Sequence, residues 1–269
     1  HGGGRVSSGG WYFEGAMVVE QIEKRNSRIA LLGLGLSLLA VLLLLIAVLG
    51  YRWGLWHFRF SIVTLNEYVA YAGAAGAVVS LIGLGRAWPG GAARGLLVAV
   101  AGVVIGAWAT KNVYDQWFIV QTVPFIHDIT TDTENPPEFI AVVPEREAQG
   151  AAPHEYEGPA LAAKQRYGYP DLAPLTLDID ADAAFDRARK VAETMDWVIV
   201  DVDPDQGRIE ATAASFWYGF KDDMVIRVTA EGAGSRIDMR ALARKGRSDL
   251  GKNAARIRAY LAKLGEASG

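Results

Sequence analysis

The longest hydrophobic stretch in the chain is 29–50, which reads IALLGLGLSLLAVLLLLIAVLG and contains no charged residue. As a helix it would be about 33 Å long, which is enough to cross the hydrocarbon core of a bilayer. Two further apolar stretches, 68–85 and 95–110, are rich in Gly and Ala. The pattern therefore predicts three transmembrane helices within a membrane domain of residues 17–111.

Small residues recur in the second and third stretches with a spacing of four, at Gly73 and Ala77 and at Gly102 and Gly106. Such faces let membrane helices approach closely, although Gly and Ala are also frequent in membrane helices generally. Residues 1–16 are Gly-rich and precede the first methionine, Met17. We interpret them as a tag or other non-native leader, with a natural flexible tail as the alternative.

Basic residues at the ends of the three stretches predict their orientation. The N-terminal side carries Lys24, Arg25, Arg28, Arg86 and Arg94, and the other side carries Arg52, Arg59 and Lys111. Because basic flanks favour the cytoplasm, five against three puts the N-terminus inside and the C-terminal part outside. In a bacterium, this describes a multi-pass protein of the inner (cytoplasmic) membrane with a periplasmic domain.

The last hundred residues alternate between strand and helix patterns. Two helical stretches have a single apolar stripe, one after Asp182 and one after Ser248, and each of these residues is a predicted helix cap. The predicted strands are 174–179, 197–202, 208–220, 222–230 and 235–243. Short turns between consecutive strands indicate an antiparallel sheet.

The predicted fold class is therefore a membrane protein with three transmembrane α-helices and a C-terminal α+β domain. This domain, 174–265, has the order β-α-β-β-β-β-α, and both of its helices pack on one sheet face. Residues 112–173 are rich in Ala, Pro, Gly and charge, which is typical of a linker and an extended segment that wraps the domain.

Charge and cysteine content exclude several classes of protein. Residues before Asn112 have 9 basic and 4 acidic side chains, whereas residues from Asn112 onward have 18 basic and 26 acidic ones. An acidic soluble domain disfavours nucleic acid as a partner, since phosphate binding requires a net basic surface. The absence of cysteine excludes disulfides, thiol nucleophiles and cysteine-ligated zinc.

Three motifs in the C-terminal part carry a resemblance to a known family. They are FKDD at 220–223 before a Val-Ile-Arg strand, RKGRSDLG at 244–251 before a helix that includes Asn253, and HDITTD at 127–132. With these motifs, residues 124–264 resemble the bacterial and plastid family called domain of unknown function 1499. Some members also have an N-terminal membrane part, so the resemblance implies a membrane-anchored member. It implies no activity, cofactor or catalytic residue.

The first candidate site is a polar run near the start of this region. It consists of His127, Asp128, Thr130, Thr131, Asp132 and Glu134. Histidine and carboxylates can bind a divalent metal whose bound water supports hydrolysis. The alternative is a polar turn in which Asp and Thr side chains accept hydrogen bonds from nearby backbone N–H groups. We assign no metal ligand, cofactor or catalytic residue.

The second candidate site is a set of basic residues on two predicted strands and the turn that follows them. It comprises Arg227, Arg236, Arg240, Arg244, Lys245 and Arg247. Arg227 and Arg240 are expected as cross-strand neighbours on the sheet face away from the helices. Together with Arg244 and Arg247 they could bind an anion or a lipid headgroup, helped by the helix N-terminus after Ser248. The alternative is pairing with Asp222, Asp223, Asp238 and Asp249.

The third candidate is the aromatic run Phe216, Trp217, Tyr218 and Phe220. Core packing is the favoured interpretation, and contact with a pocket, a membrane or a partner is the alternative.

The sequence has no nucleophile elbow, Walker loop, dinucleotide fingerprint or His-Glu-x-x-His motif. The spans have no charged residue away from their ends, which disfavours transport by this chain alone. We expect a non-enzymatic, membrane-anchored extracytoplasmic module that binds an amphipathic or anionic ligand or a membrane-protein partner beside the lipid bilayer. The alternatives are a metal-dependent hydrolase using His127, Asp128 and Asp132, and an accessory subunit of a larger membrane complex.

Overall fold

A computed structural model describes residues 27–89 and 94–266. The interpretation of residues 1–16 as a leader and the start of the predicted membrane domain lie outside the described residues. Three long helices come first, and each is long and apolar enough to cross a membrane. They are α1 (Arg28–Arg52), α2 (Asn66–Ala87), which a π-helical turn (Phe60–Leu65) precedes, and α3 (Leu96–Thr122).

The third helix continues to Thr122, well beyond the predicted end at residue 110. Its last turns carry Lys111 and Asp115, which form an ion pair at the i, i+4 spacing. Such a pair stabilises a helix. The loss of apolar character at residue 111 therefore does not mark the end of the helix.

The three helices form a bundle, α1–α3, that packs through small residues. A Cβ atom added to Gly106 would lie 2.5 Å from the backbone oxygen of Gly73. Ser37 lies between the helices and donates a hydrogen bond to the backbone oxygen of Gly102 at 2.7 Å. The close approach that the spacing of small residues predicts is therefore present.

The rest of the chain forms one antiparallel sheet with helices. The strands are β1 (Asp128–Thr130), β2 (Leu175–Leu177), β3 (Val198–Asp203), β4 (Arg208–Ala214), β5 (Lys221–Glu231) and β6 (Gly234–Ala243). Their order is β1-β6-β5-β4-β3, and β2 pairs with β6 beside β1. The helices are α4 (Val143–Ala148), α5 (Pro159–Gly168), α6 (Ala181–Glu193) and α7 (Lys252–Glu266). From β2 onward, the predicted order β-α-β-β-β-β-α is confirmed.

The stretch that the sequence predicts as linker contributes to this sheet. Strand β1 pairs with β6, where Thr130 lies opposite Arg240, and the helices α4 and α5 follow it. A strand of three residues is too short to show an alternating pattern. The sheet domain therefore includes residues well before 174.

Both helix caps differ from those predicted. The cap of α6 is Asp180, whose Oδ1 accepts a hydrogen bond from the Ala183 N–H, and not Asp182. At α7, Asp249 Oδ2 accepts from the Asn253 N–H at 2.6 Å. Ser248 instead accepts from the N–H of Leu250, which precedes the first residue of the helix, Lys252, so Ser248 does not cap the helix.

The core lies between the sheet and the two long helices of this domain. Ile226 and Met239 on the sheet pack with Phe185 of α6 and Ile257 of α7 in a single buried cluster. This confirms that both helices lie on one sheet face. The other face is covered by residues 132–156, which we call the covering segment, through contacts such as that of Phe139 with Val225.

Candidate functional site

Arg240 lies on the covered face and is only 2% exposed. It donates two hydrogen bonds to Asp128, from Nε at 2.9 Å and from Nη2 at 2.8 Å. The same guanidinium also donates to the backbone oxygens of Pro137 and His154. Arg240 therefore holds the covering segment against the sheet. Its hydrogen bonds go to groups inside the protein and not to an external anion, contrary to the anion-site hypothesis.

Arg244 belongs to a second buried cluster, centred on Asp223. Arg244 donates to both carboxylate oxygens of Asp223, at 2.8 and 2.7 Å, and Arg146 of α4 donates to Oδ2 at 2.6 Å. Thr212 donates a further bond to Oδ1. The contribution of Arg146 could not be predicted from the sequence, because α4 belongs to a stretch without a strand or helix pattern of its own.

At the edge of this cluster, Glu145 accepts hydrogen bonds from Arg244 and Lys221. These two hydrogen bonds lower the pKa of the Glu145 carboxyl from 4.5 to about 2. The carboxylate is therefore ionised throughout the physiological range and links α4 to β5 and β6.

Glu210 is a further buried carboxylate that the sequence analysis does not single out. Its side-chain oxygens accept from three consecutive backbone N–H groups, those of Ile140, Ala141 and Val142, at 2.9 to 3.0 Å. Arg208 also pairs with it. This anchors the covering segment to the middle of β4. The sequence does not predict this role for a glutamate on a strand, because the role depends on the position of residues 140–142 in the folded protein.

Arg227 and Arg236 lie nearer the surface than Arg240. Arg227 contacts Asp238 at 3.0 Å, and Arg236 contacts Asp132 at 2.9 Å and Asp238 at 3.1 Å. The alternative prediction, that aspartates pair with these arginines, is confirmed for Asp238. It is confirmed for Asp223 by its pairing with Arg244.

The N-terminus of α7 is filled by the protein itself. Asp249 accepts hydrogen bonds from the Gly251 and Asn253 N–H groups, and burial raises the pKa of its carboxyl. Ser248 is partly exposed and Arg247 is exposed. The helix N-terminus therefore holds an internal carboxylate at the position where the sequence analysis expects an external anion.

The polar run 127–132 does not converge on one point. The Asp128 side chain is held by Arg240, and Asp132 accepts from the Glu134 and Asn135 N–H groups, which is the predicted polar turn. His127 has its Nδ1 buried without a hydrogen-bond partner. Within 27–89 and 94–266, no group of three or more His, Cys, Asp or Glu residues could hold a metal ion.

The aromatic run lies outside the sheet core, so the favoured interpretation of core packing is wrong. Strand β4 ends at Ala214, and the chain then forms a turn before β5. Tyr218 and Phe220 stack on each other and contact Tyr51 at the end of α1, with ring centroids 6.0 and 5.1 Å away. The run thus joins the sheet domain to the helix bundle.

A cleft of about 670 Å³ lies at this junction. It is lined by Tyr51, Arg52, Gly54, Trp56, His57, Phe58, Tyr218, Gly219 and Lys245. Aromatic side chains supply its apolar walls, and Arg52 and Lys245 supply positive charge. The lining residues that the structure describes include no carboxylate. Guanidinium and ammonium groups bind phosphate or carboxylate oxygens, so the cleft suits an anionic group attached to an apolar one.

Another cleft, of about 440 Å³, lies between α6 and β3. Its charged residues are mainly acidic, with Asp182, Asp186 and Glu193, and its cation Arg189 already contacts Glu193 at 3.4 Å. It therefore has no unsatisfied charge that would attract an anion. Of the two, the junction cleft is the better candidate for a binding site.

Comparison with known proteins supports the family resemblance. A search of curated proteins found no match. The sequence model of the family described as "Protein of unknown function (DUF1499)" matches residues 128–264, which is about half of the chain and runs from β1 into the last turn of α7. The matched region coincides with the sheet domain and includes β1, which lies in the predicted linker. The chain therefore belongs to the DUF1499 family.

Proposed function

We propose that this protein is a membrane-anchored, non-enzymatic binding module that holds an anionic amphiphile in the junction cleft. The observation that carries the proposal is the position of Arg52 and Lys245 beside aromatic walls at the end of α1. Aromatic side chains with one polar edge favour the level of lipid headgroups. A ligand with a phosphate or carboxylate head and an apolar tail matches both parts of this lining.

The helix bundle supplies the anchor. Its three helices have the length and composition to cross a bilayer, and α1 is the most apolar of them. With the N-terminus in the cytoplasm, the cleft and the sheet domain lie on the periplasmic side of a bacterial inner membrane. This orientation rests on the excess of basic residues at the opposite ends of the helices.

The hydrolase hypothesis has less support. Its carboxylates, Asp128 and Asp132, are held by Arg240 and Arg236, and each pair is bonded at 2.9 Å or closer. A carboxylate in such a pair is a poor metal ligand or base, because either role requires breaking the pair.

Native mass spectrometry of the full-length protein in detergent tests the proposal. We expect phosphatidylglycerol to bind more tightly than phosphatidylcholine, and Lys245→Ala to weaken phosphatidylglycerol binding about tenfold, the value of one charge-assisted hydrogen bond. Lys190→Ala, at an exposed position on α6, is the matched control. Competition by inorganic phosphate would identify a free anion as the ligand. Equal lipid binding by the two variants would refute the cleft as the site.

A second candidate, an accessory subunit of a membrane complex, is favoured by one observation. The Lys111–Asp115 pair lies on the outer surface of α3, in the half of the bundle where Gln116 meets Asn66. Charged pairs on a lipid-facing surface are costly, and a polar partner helix would cover them. Native gel electrophoresis of gently extracted membranes should then show co-migrating subunits, whereas migration as a single chain would contradict this role.

A further inference from the structure

Two neighbouring aromatic side chains at the tip of the β4–β5 turn are largely exposed. Phe216 is 83% exposed and Trp217 is 55% exposed, and their rings contact each other edge-to-face at 5.2 Å. A pair of large exposed aromatic residues on a domain surface usually marks a contact with a membrane or a partner.

The tip is attached to the end of a bundle helix. Arg52, the last residue of α1, donates from Nη1 to the backbone oxygens of Phe216 and Trp217, at 3.2 and 3.4 Å. The next exposed apolar residues in the chain are Trp53 and Leu55. The tip therefore lies level with the point where α1 would leave a bilayer, and headgroups with the upper acyl chains are the surroundings at that level.

We infer that this tip, residues 215–219, inserts the Phe216 and Trp217 side chains into the interface of the bilayer beside α1. The occupant of this apolar surface is lipid, because α1 brings the surface to the membrane. The inference does not depend on a ligand in the junction cleft, since Phe216 and Trp217 are not among the residues that line it.

The turn is held in shape before it meets lipid. The Ser215 N–H donates to the Phe220 backbone oxygen, and the Gly219 N–H donates to the Ser215 backbone oxygen, both at 2.8 Å. Gly219 has φ +67°, a conformation that glycine adopts without strain. Insertion therefore requires little additional ordering of the backbone.

The tip gives the sheet domain a second attachment to the membrane. The first is covalent, where α3 ends at Thr122 and the chain continues directly to β1. Two separated attachments restrict rotation of the domain about the α3 connection. The opening of the junction cleft is then kept at the bilayer surface.

Because the chain has no cysteine, a single introduced cysteine can carry a fluorescent probe. We would label Ala214→Cys, an exposed position next to the tip, in full-length protein in nanodiscs with spin-labelled lipid as the quencher. Ala233→Cys, in the turn at the far end of β5, is the matched control. With 11 residues in β5, the two probes are about 33 Å apart.

We expect the lipid to quench the probe at position 214 severalfold more than the probe at 233. Adding Phe216→Ser and Trp217→Ser to the Ala214→Cys protein should reduce its quenching to the level at 233. The melting temperature in detergent, measured by circular dichroism, should change little, because neither replaced side chain belongs to the core of the protein. Quenching at 214 as weak as that of a probe in water would overturn the inference by placing the tip in water or against protein, as would quenching at 214 that survives the double substitution.

Discussion

Asp128 of β1 and Arg240 of β6 lie diagonally across two paired strands and are joined by hydrogen bonds of 2.9 and 2.8 Å. The guanidinium of Arg240 lies over the rings of Phe139 and Tyr156, 5.0 and 5.4 Å from their centroids. Burial and the nearby charge of Asp128 raise the pKa of Tyr156 to about 12. One ion pair thus links the first strand, the last strand and the covering segment.

Breaking this pair from either side should strongly destabilise the sheet domain. Asp128→Ala leaves a buried guanidinium without its carboxylate, which costs about 3–5 kcal/mol. Urea unfolding of the full-length protein in detergent, followed by circular dichroism, measures this loss. A double-mutant cycle with Arg240→Ala should show a coupling energy above about 0.5 kcal/mol, and additive effects would contradict direct coupling.

Asp223 balances two buried arginines, so its removal should be at least as costly. Asp223→Ala leaves both Arg146 and Arg244 without their shared carboxylate, and we expect a loss of about 3–5 kcal/mol in the same unfolding experiment. Asp186→Ala is the control, because that carboxylate is exposed and its contact with Arg189, at 3.9 Å, is a long surface ion pair. A comparable loss in the two variants would show that the Asp223 cluster contributes no more than a surface pair.

The pH dependence of stability should report on Glu145. Its pKa is about 2 in the folded protein against an ordinary 4.5, so folding favours its ionised form. The contribution is present above about pH 4.5 and is lost as the pH falls toward 2. Because this side chain is 43% exposed, solvent screening limits the effect to about 1 kcal/mol or less.

Thermal unfolding of wild type and Glu145→Gln at several pH values measures this contribution. The melting temperature of Glu145→Gln should be lower than that of wild type at pH 6 and should approach it near pH 2. Glu147→Gln, at an exposed position of the same helix, is the control for the loss of one acidic residue. A difference that is independent of pH would contradict the role assigned to the Glu145 carboxylate.

The packing of the helix bundle predicts a position-dependent effect of adding one methyl group. A Cβ at Gly106 would lie 2.5 Å from a backbone oxygen, whereas a Cβ at Gly35 would have nothing within 4 Å. Gly106→Ala should therefore lower the melting temperature in detergent by several degrees, and Gly35→Ala should leave it unchanged or raise it slightly. Equal melting temperatures for the two variants would rule out the close contact at Gly106.

Periodicity carries most of what the sequence predicts correctly. The three membrane-length helices and the order of elements from β2 to α7 follow from hydrophobic patterns within each segment. Three elements before β2 are not predicted: β1 has three residues, α4 has six and α5 has ten. Their formation depends on partners that are distant in the chain, such as β6 for β1.

For the arginines of β5 and β6, local patterns predict the sheet face but not whether the side chain is buried. Alternation correctly puts Arg227 and Arg240 on the sheet face away from α6 and α7, because side chains alternate along a strand whatever covers them. Whether that face meets water or protein depends on the covering segment, which has no periodicity. Glu210 and Arg146 are hidden for the same reason, since their partners lie 70 and 77 residues away in the chain.

The sequence by itself determined the membrane-length helices, the order along the chain of the elements from β2 to α7, and the sheet face on which Arg227 and Arg240 lie, because these follow from hydrophobic patterns within one segment. Tertiary structure alone decided that Arg240 is buried and that the aromatic run meets α1. It also decided that the junction cleft combines Arg52 with Lys245. The physical reason is that burial and charge pairing depend on which segments contact each other in the folded protein. Those contacts depend on loops that have no hydrophobic pattern.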